Sequence, residues 1–288
     1  MNGIININKD KDTTSFDVIR KLRKLLKEKA IGHTGTLDPL ATGVLVMCVG
    51  KATKLAQDIE AQSKTYIATL EFGYKTDTLD ITGEILEKKE YKAPIKEEFL
   101  EACKGFIGNI EQIPPMYSAI KINGEKLYDL ARKGIEVERK PRPVTISSID
   151  LIQLDEKGAI IKCTVSKGTY IRTLIDDIGE KLGTFATMSD LLRQEVGNYH
   201  INKSLKLSDI EKMVETNDFS FLSKVEDVFK FNKINFTEEK DIKAFYNGNK
   251  INFKGNDGFC HIYINNEFYG LGIIEKNTLK PYKYFNVK

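Results

Sequence analysis

The run Val44-Leu45-Val46-Met47-Cys48-Val49 constrains the fold more than any other stretch of the chain. Six apolar residues fall far short of the ~20 needed to span a bilayer. They lie between two turn-rich clusters, Gly32 to Gly43 before them and Gly50-Lys51-Ala52-Thr53-Lys54 after them, so the run reads as a buried strand fed by a loop. A buried strand requires a sheet around it. Tyr66, Ala68, Leu70 and Phe72 alternate with Ile67, Thr69 and Glu71 as a second strand, Thr82-Gly83 marks a turn before Glu84-Ile85-Leu86, and two further strand-like runs cover 144–154 and 159–165. The 288 residues, 41% of them hydrophobic, suffice for one large domain or for two.

Helical spacing interrupts this pattern. Thr14 and Ser15 are good N-caps, and Phe16, Ile19, Leu22 and Leu26 predict an amphipathic helix over roughly 15–30. Its outer face carries Arg20, Lys21, Arg23, Lys24, Lys27 and Lys29 against Glu28, which reads equally as a solvated face or an RNA contact. Ile95, Phe99, Leu100, Cys103 and Phe106 predict a second helix, stopped by Pro114-Pro115. Met116 to Ile122 followed by Asn123-Gly124 signals a hairpin, and Glu125 to Lys133 closed by Gly134 a short helix. After the turn Ser166-Lys167-Gly168, Ile171, Leu174, Ile175, Ile178 and Leu182 line one face of a helix ended by Gly183. Helices mixed with hairpin-linked strands fit an α+β fold, a mainly antiparallel mixed sheet with flanking helices, better than regular βαβ winding. Residues 1–228 are expected to form this main domain. Residues 229–288 hold a short helix near 237–246 and brief strands separated by Gly255-Asn256-Asp257-Gly258, Asn265-Asn266 and Lys276-Asn277, the pattern of a small β-barrel-like module.

Several classes of chemistry fail at the residue level. Cys48, Cys103, Cys163 and Cys260 stand far apart without a His-rich neighbour, so neither a zinc site nor a disulfide framework is expected. A phosphate loop at Gly50-Lys51 would need glycine where Leu45 stands and Ser or Thr where Ala52 stands. Gly270-Leu271-Gly272 is followed by Glu275 where a dinucleotide loop needs its third glycine. No G-x-S-x-G elbow accompanies His33, His200 or His261. Asp77 and Asp80 read as turn residues, and Asp176 and Asp177, about 100° apart on a helix, as a solvated face. The start Met1-Asn2-Gly3-Ile4 is unlike a secretory leader, and a cytoplasmic protein with reduced thiols is expected.

Asp38, held before Pro39, has local chemistry that favours an Asx-turn. Its wider context is more specific. The stretch Gly32-His33-Thr34-Gly35-Thr36-Leu37-Asp38-Pro39-Leu40-Ala41-Thr42-Gly43-Val44-Leu45 closely resembles the signature of the TruB family of tRNA pseudouridine synthases. Lys64-Thr65-Tyr66, Gln112-Ile113-Pro114-Pro115-Met116-Tyr117-Ser118-Ala119 and Ser166-Lys167-Gly168-Thr169-Tyr170-Ile171-Arg172-Thr173 match in the same order, over roughly residues 3 to 200. The resemblance implies the pseudouridine-synthase fold, a tail resembling the RNA-binding module called PUA, and conversion of a tRNA T-loop uridine, conventionally numbered 55, to pseudouridine.

The resemblance also implies the site. Asp38 matches the catalytic aspartate, Arg172 the arginine paired with it, and Tyr170 a second active-site tyrosine. Tyr66 matches the aromatic that stacks on the target base, although a strand tyrosine more usually packs in a core. His33 resembles the histidine that enters the RNA, Leu191 an apolar pocket wall, and Lys9 a lysine of structural or RNA-facing role. Two departures stand out: Asp10 and Asp12 replace the usual Pro and Gly beside that lysine, and Leu192 precedes Arg193 where the family tends to show two arginines, which implies weaker RNA contact there. An isomerisation needs neither metal nor cofactor. The implied partner is the T-loop and stem of tRNA, with no membrane and a monomeric enzyme. The net charge of +3 is no obstacle, because phosphates respond to local patches such as the basic helix and Lys126, Arg132, Lys133, Arg139 and Lys140. The rival readings are a non-catalytic tRNA-binding folding chaperone and a glycosidic-bond hydrolase.

Overall fold

The computed structural model describes residues 1–285. The chain opens with β1 (Gly3–Lys9), a tight loop, and α1 (Ser15–Leu26). Thr14 caps α1 through a capping box with Asp17, and Lys27, in left-handed conformation at φ 51°, ends the helix four residues before the spacing predicted. Val18, Ile19, Leu22 and Leu26 turn into the core, whereas Phe16 stays exposed. Next come β2 (Ile31–His33), β3 (Thr42–Val49), a 3₁₀ turn and the one-turn α2 (Ala56–Glu60). The strand β4 (Lys64–Phe72) runs into the small β5–β6 hairpin (Tyr74–Thr76, Ile85–Lys88), then α3 (Lys96–Lys104).

Helix α3 does not run on to Pro114. Gly105 ends it, and β7 (Gly108–Gln112) intervenes; Ile95 and Leu100, expected on its inner face, are exposed, while Phe99, Ala102 and Cys103 are buried. The hairpin β8–β9 (Lys121–Ile122, Glu125–Lys126) turns at Asn123 and Gly124, both at positive φ as a two-residue turn of this kind requires. Helix α4 (Leu127–Arg132) leads to the long hairpin β10 (Arg142–Leu154) and β11 (Gly158–Val165), then α5 (Ile171–Leu182), closed by Gly183 at φ 71°. The strands β12 (Ala186–Val196) and β13 (Tyr199–His200) and helix α6 (Leu207–Glu215) complete this part.

The large sheet has the order β1-β3-β12-β4-β11-β10-β7, with β2 on β3 and β13 on β12. Every pairing is antiparallel except β12 with β3, so the α+β reading holds. The strand β12 lies inside the sheet between β3 and β4, and carries no simple alternation in the sequence. Helices α1, α3, α5 and α6 supply the apolar cover on one side of the sheet.

The C-terminal part forms a separate five-stranded sheet, β14 (Asn232–Phe236), β16 (Gly258–Ile264), β17 (Glu267–Glu275), β18 (Thr278–Tyr284) and β15 (Ile251–Asn252) in spatial order, with α7 (Glu239–Tyr246) beside it. Its own core contains Phe236, Phe245, Ile262 and Leu279. It also shares a core with the main sheet: Leu271 and Phe285 pack with Val44, Val46, Cys48, Leu55 and Ile59. At the rim of that contact, Tyr282 and Lys283 both reach Asp58.

His261, 3% exposed, sits in this second sheet between the rings of Phe231 (5.4 Å) and Phe268 (5.6 Å), and neither ring nitrogen has a hydrogen-bond partner among the described residues. Burial, then Lys233 on the adjoining strand, hold the imidazole below its ordinary value of 6.5, against the opposing pull of Glu226 and Asp227. The unfolded chain therefore binds a proton that the folded sheet refuses, and stability falls as pH drops below about 6.5 and is constant in this respect above it. In thermal melts from pH 7.5 to 5, His261→Phe is expected to flatten part of the acid-side decline of the wild type; an identical pH slope in both proteins would contradict this.

Candidate active site

Residues 34–41 form neither helix nor strand, so their backbone groups have no ladder and must find partners elsewhere. The N–H of Thr34 donates to the Val46 carbonyl (3.1 Å) and that of Ala41 to the Asp38 carbonyl (3.1 Å). Ser15, the buried first residue of α1, accepts from Leu37 N–H (2.9 Å) and donates to its carbonyl (3.2 Å). The Pro39 carbonyl accepts from Asp12 N–H (2.8 Å) and from the Lys9 ammonium (3.2 Å). These bonds leave Asp38 at the tip with its side chain 37% exposed.

Arg172 meets it there. Its Nε lies 3.0 Å from Asp38 Oδ2, while the arginine itself is only 5% exposed. Nη1 donates to the Thr78 carbonyl (2.7 Å), Nη2 to the Tyr117 carbonyl (2.8 Å), and Asp80 Oδ2 lies 3.8 Å from Nη1. One guanidinium thus fixes three separate segments, using its fork of donors. Arg172 is itself placed by the start of α5: Gln112, buried at the end of β7, accepts from Tyr170 N–H (2.8 Å) and donates to the Tyr170 carbonyl (3.0 Å). An exposed carboxylate fixed by a buried cation can act as a nucleophile or stabilise a developing positive charge.

The other residues singled out in the sequence fall into distinct positions. Tyr170, half-buried, feels the charges of both Arg172 and Asp38, and burial is the main cause that raises its hydroxyl pKa. Tyr66 and Leu191 are buried in the same apolar cluster as Leu37. His33 accepts from Gly35 N–H at Nδ1 (3.3 Å) and is kept below its ordinary pKa by burial and then by Arg193. Lys9 is not turned outward to RNA. It is 1% exposed and donates to the carbonyls of Asp10 (2.9 Å), Thr13 (2.6 Å) and Pro39, and burial lowers its pKa to about 8 despite the attraction of Asp38. Asp12 adopts φ 60° in that loop, a conformation Asp tolerates better than most residues, so the replacement of the usual glycine leaves the loop closed on Pro39.

Arg193 is also buried, at 2% exposed, while Leu192 beside it is half-buried. Asp80 exceeds a turn role: it accepts from Thr78 Oγ1 (2.9 Å) and Thr82 N–H (3.0 Å), and its carboxylate faces Arg172. Nor do Asp176 and Asp177 form a solvated face. Asp176 pairs with Lys75, and burial raises Asp177 to about 6. Gln112, Asp80, Ser15 and Arg193 were not legible as site residues, although Gln112 lies within a quoted motif. Among the described residues no group of three or more His, Cys, Asp or Glu is placed to hold a metal, and no helix is long and apolar enough to cross a membrane.

Part of the basic face of α1 is engaged within the protein: Arg20 pairs with Asp17, Lys21 with Glu211, and Arg23 donates to the Ile31 carbonyl. Lys24, Lys27 and Lys29 are exposed. On the β8–α4 segment, Lys133 pairs with Glu125 and Arg139 with Glu136, and Arg132 lies over the Tyr128 ring.

The sheet, its two-part organisation and the arginine-paired aspartate define the class: the fold is that of the pseudouridine synthases. Solved structures with the same architecture are an H/ACA RNP bound to a substrate RNA containing 2'-deoxyuridine (TM-score 0.72, 22% identity, 99% of this chain and 85% of that one) and a Cbf5-Nop10-Gar1 complex (TM-score 0.71, 23% identity, 99% and 84%). Residues 23–171 match the TruB family pseudouridylate synthase N-terminal domain, and residues 172–227 the tRNA pseudouridylate synthase B C-terminal domain. The tRNA pseudouridine synthase B of Fusobacterium nucleatum is 54% identical over 99% of this chain and all of its own length, and that of Clostridium kluyveri 41% identical over 99% and 100%. The chain belongs to the TruB family of pseudouridine synthases.

Lys9→Met is expected to remove the donor shared by the Asp10, Thr13 and Pro39 carbonyls, a loss of about 0.5–1.5 kcal/mol for each bond. Urea unfolding should show a lower midpoint with little change in slope; an unchanged midpoint would mean that the loop refolds around the loss.

Proposed function

We propose that the protein converts the T-loop uridine at position 55 of tRNA into pseudouridine, with Asp38 as the catalytic carboxylate. Membership of the family and relatives that bear the name tRNA pseudouridine synthase B support tRNA as the substrate. The observation that carries the residue assignment is the exposed Asp38 carboxylate held 3.0 Å from the buried Arg172 guanidinium.

In this reading the target base leaves its stack, because chemistry at C1′ and C5 cannot occur inside a folded loop. Asp38 acts on ribose C1′ or uracil C6, or stabilises positive charge at C1′. The C1′–N1 bond breaks, the base turns, and a C1′–C5 bond forms; C5 loses a proton and N1 gains one, so the product is an isomer. Arg172 keeps the carboxylate oriented. Tyr170 borders the reacting base, Tyr66 and Leu191 form its apolar floor, and His33 helps hold the loop open. Stacking on Tyr66 offsets part of the few kcal/mol of unstacking. Lys24, Lys27 and Lys29 meet phosphates, and the five-stranded C-terminal sheet serves as the PUA-like RNA-binding module of a cytoplasmic, monomeric enzyme.

Asp38→Asn preserves the shape and one hydrogen bond to Arg172 but not the anion. Incubated with unmodified tRNA, it should yield no pseudouridine and no free uracil while retaining wild-type tRNA affinity. Product formation at the wild-type rate removes Asp38 from the mechanism, and free uracil from the wild type favours a hydrolase. In a separate measurement, Lys24→Gln with Lys27→Gln should weaken tRNA binding and reduce the salt dependence of log K by about 2; an unchanged slope would place the phosphates elsewhere.

A further inference from the structure

Arg193 lies on β12, an interior strand of the main sheet between β3 and β4, two residues beyond Leu191. It is one of the largest fully buried side chains, and no ion pair compensates it among the described residues. Burying a guanidinium is costly unless its donors are all engaged. Here each of its three nitrogens finds backbone: Nε donates to the Val44 carbonyl (2.7 Å), Nη2 to Gly35 (3.1 Å) and Nη1 to Thr36 (3.4 Å). Gly35 and Thr36 precede Asp38 in the loop that has no ladder of its own, and Val44 follows it in β3.

The backbone of the same residue closes the clamp. Arg193 is the parallel register partner of Gly43, which sits at φ +100°, and a Cβ at Gly43 would lie 2.3 Å from the Arg193 carbonyl oxygen. A neutral amide could not reach three carbonyls at once, and an ammonium is a point charge where a planar fork is needed. A purely apolar side chain would suit this core at lower cost, so the arginine has a role that packing does not explain.

We infer that Arg193 is a positioning residue for the reaction, clamping the two limbs of the 34–44 loop so that Asp38 is held at Arg172 before substrate arrives. It touches neither base nor ribose; it acts through the loop. The inference rests on Asp38 being the catalytic carboxylate.

The test uses full-length wild type, Arg193→Gln, Arg193→Lys and Asp38→Asn with unmodified tRNA transcript. Single-turnover pseudouridine formation, tRNA affinity, thermal melting and amide exchange are read in each. Loss of the clamp should slow Arg193→Gln on the order of a hundredfold, the effect of about 1 Å of misplacement, with tRNA affinity unchanged. Arg193→Lys, which keeps the charge and part of the bonding, should fall between it and the wild type. Exchange at Leu37 and Ala41 should quicken while Ile67 to Leu70 in β4 stay protected. A cooperatively melting Arg193→Gln with wild-type turnover overturns the inference, as does a loss confined to tRNA affinity. Failure of both Arg193 variants to fold also overturns it, since the side chain would then hold the sheet rather than the loop. Turnover by Asp38→Asn instead brings down the underlying assignment, whatever Arg193 does.

Discussion

A carboxylate carried on an irregular loop keeps one place only if the loop cannot wander, and here the backbone of residues 34–41 is tied down by side chains from other elements. Ser15 comes from the first turn of α1, Lys9 from the end of β1, and Arg193 from the interior strand β12. Each bonds main-chain groups of the loop rather than the Asp38 carboxylate. Two of the three are buried cations bonded to carbonyls, a strong form of hydrogen bond that also sets positive charge behind Asp38. The loop's conformation is therefore a property of the whole N-terminal half together with β12.

Arg172 performs the complementary task on the opposite side. It binds Asp38, the Thr78 carbonyl and the Tyr117 carbonyl at once, so the segments after β5 and β7 are registered against the Asp38 loop through one planar group. Gln112 grips both the N–H and the carbonyl of Tyr170 and so sets where α5 begins. Such shared donors make effects at these positions non-additive, since losing any one frees the others to move.

The strands and helices that bury one face were legible because periodicity reports burial directly: Tyr66 to Phe72, the face of α5 and the Asn123-Gly124 turn all stand where the spacing put them. The interior strand β12 was not. Thr187 and Arg193, both buried, interrupt its apolar pattern, because each turns a polar side chain inward to a backbone carbonyl. The end of α3 was misplaced because Gly105, not a proline, closes it. Asp38 and Arg172 were identified through family resemblance and not by local chemistry, which for Asp38 favoured an Asx-turn. Lys9, Arg193 and Asp80 owe their significance to partners 30 to 158 residues away or on another element, and no window of sequence contains that information.

The strand that follows the loop has apolar neighbours on both sides. Leu45, Met47 and Val49 join the core under the helices, while Val44, Val46 and Cys48 join the core shared with Leu271 and Phe285. Each fully covered Val or Leu of this kind is worth about 1.5–3 kcal/mol. The second sheet thus covers the rear of β3 together with Leu55, Ile59 and Val196, and a chain lacking it would uncover part of that apolar surface. Alternate positions of that strand would then have to turn polar, so the length of the tail and the spelling of residues 44, 46 and 48 are bound to drift together over evolutionary time.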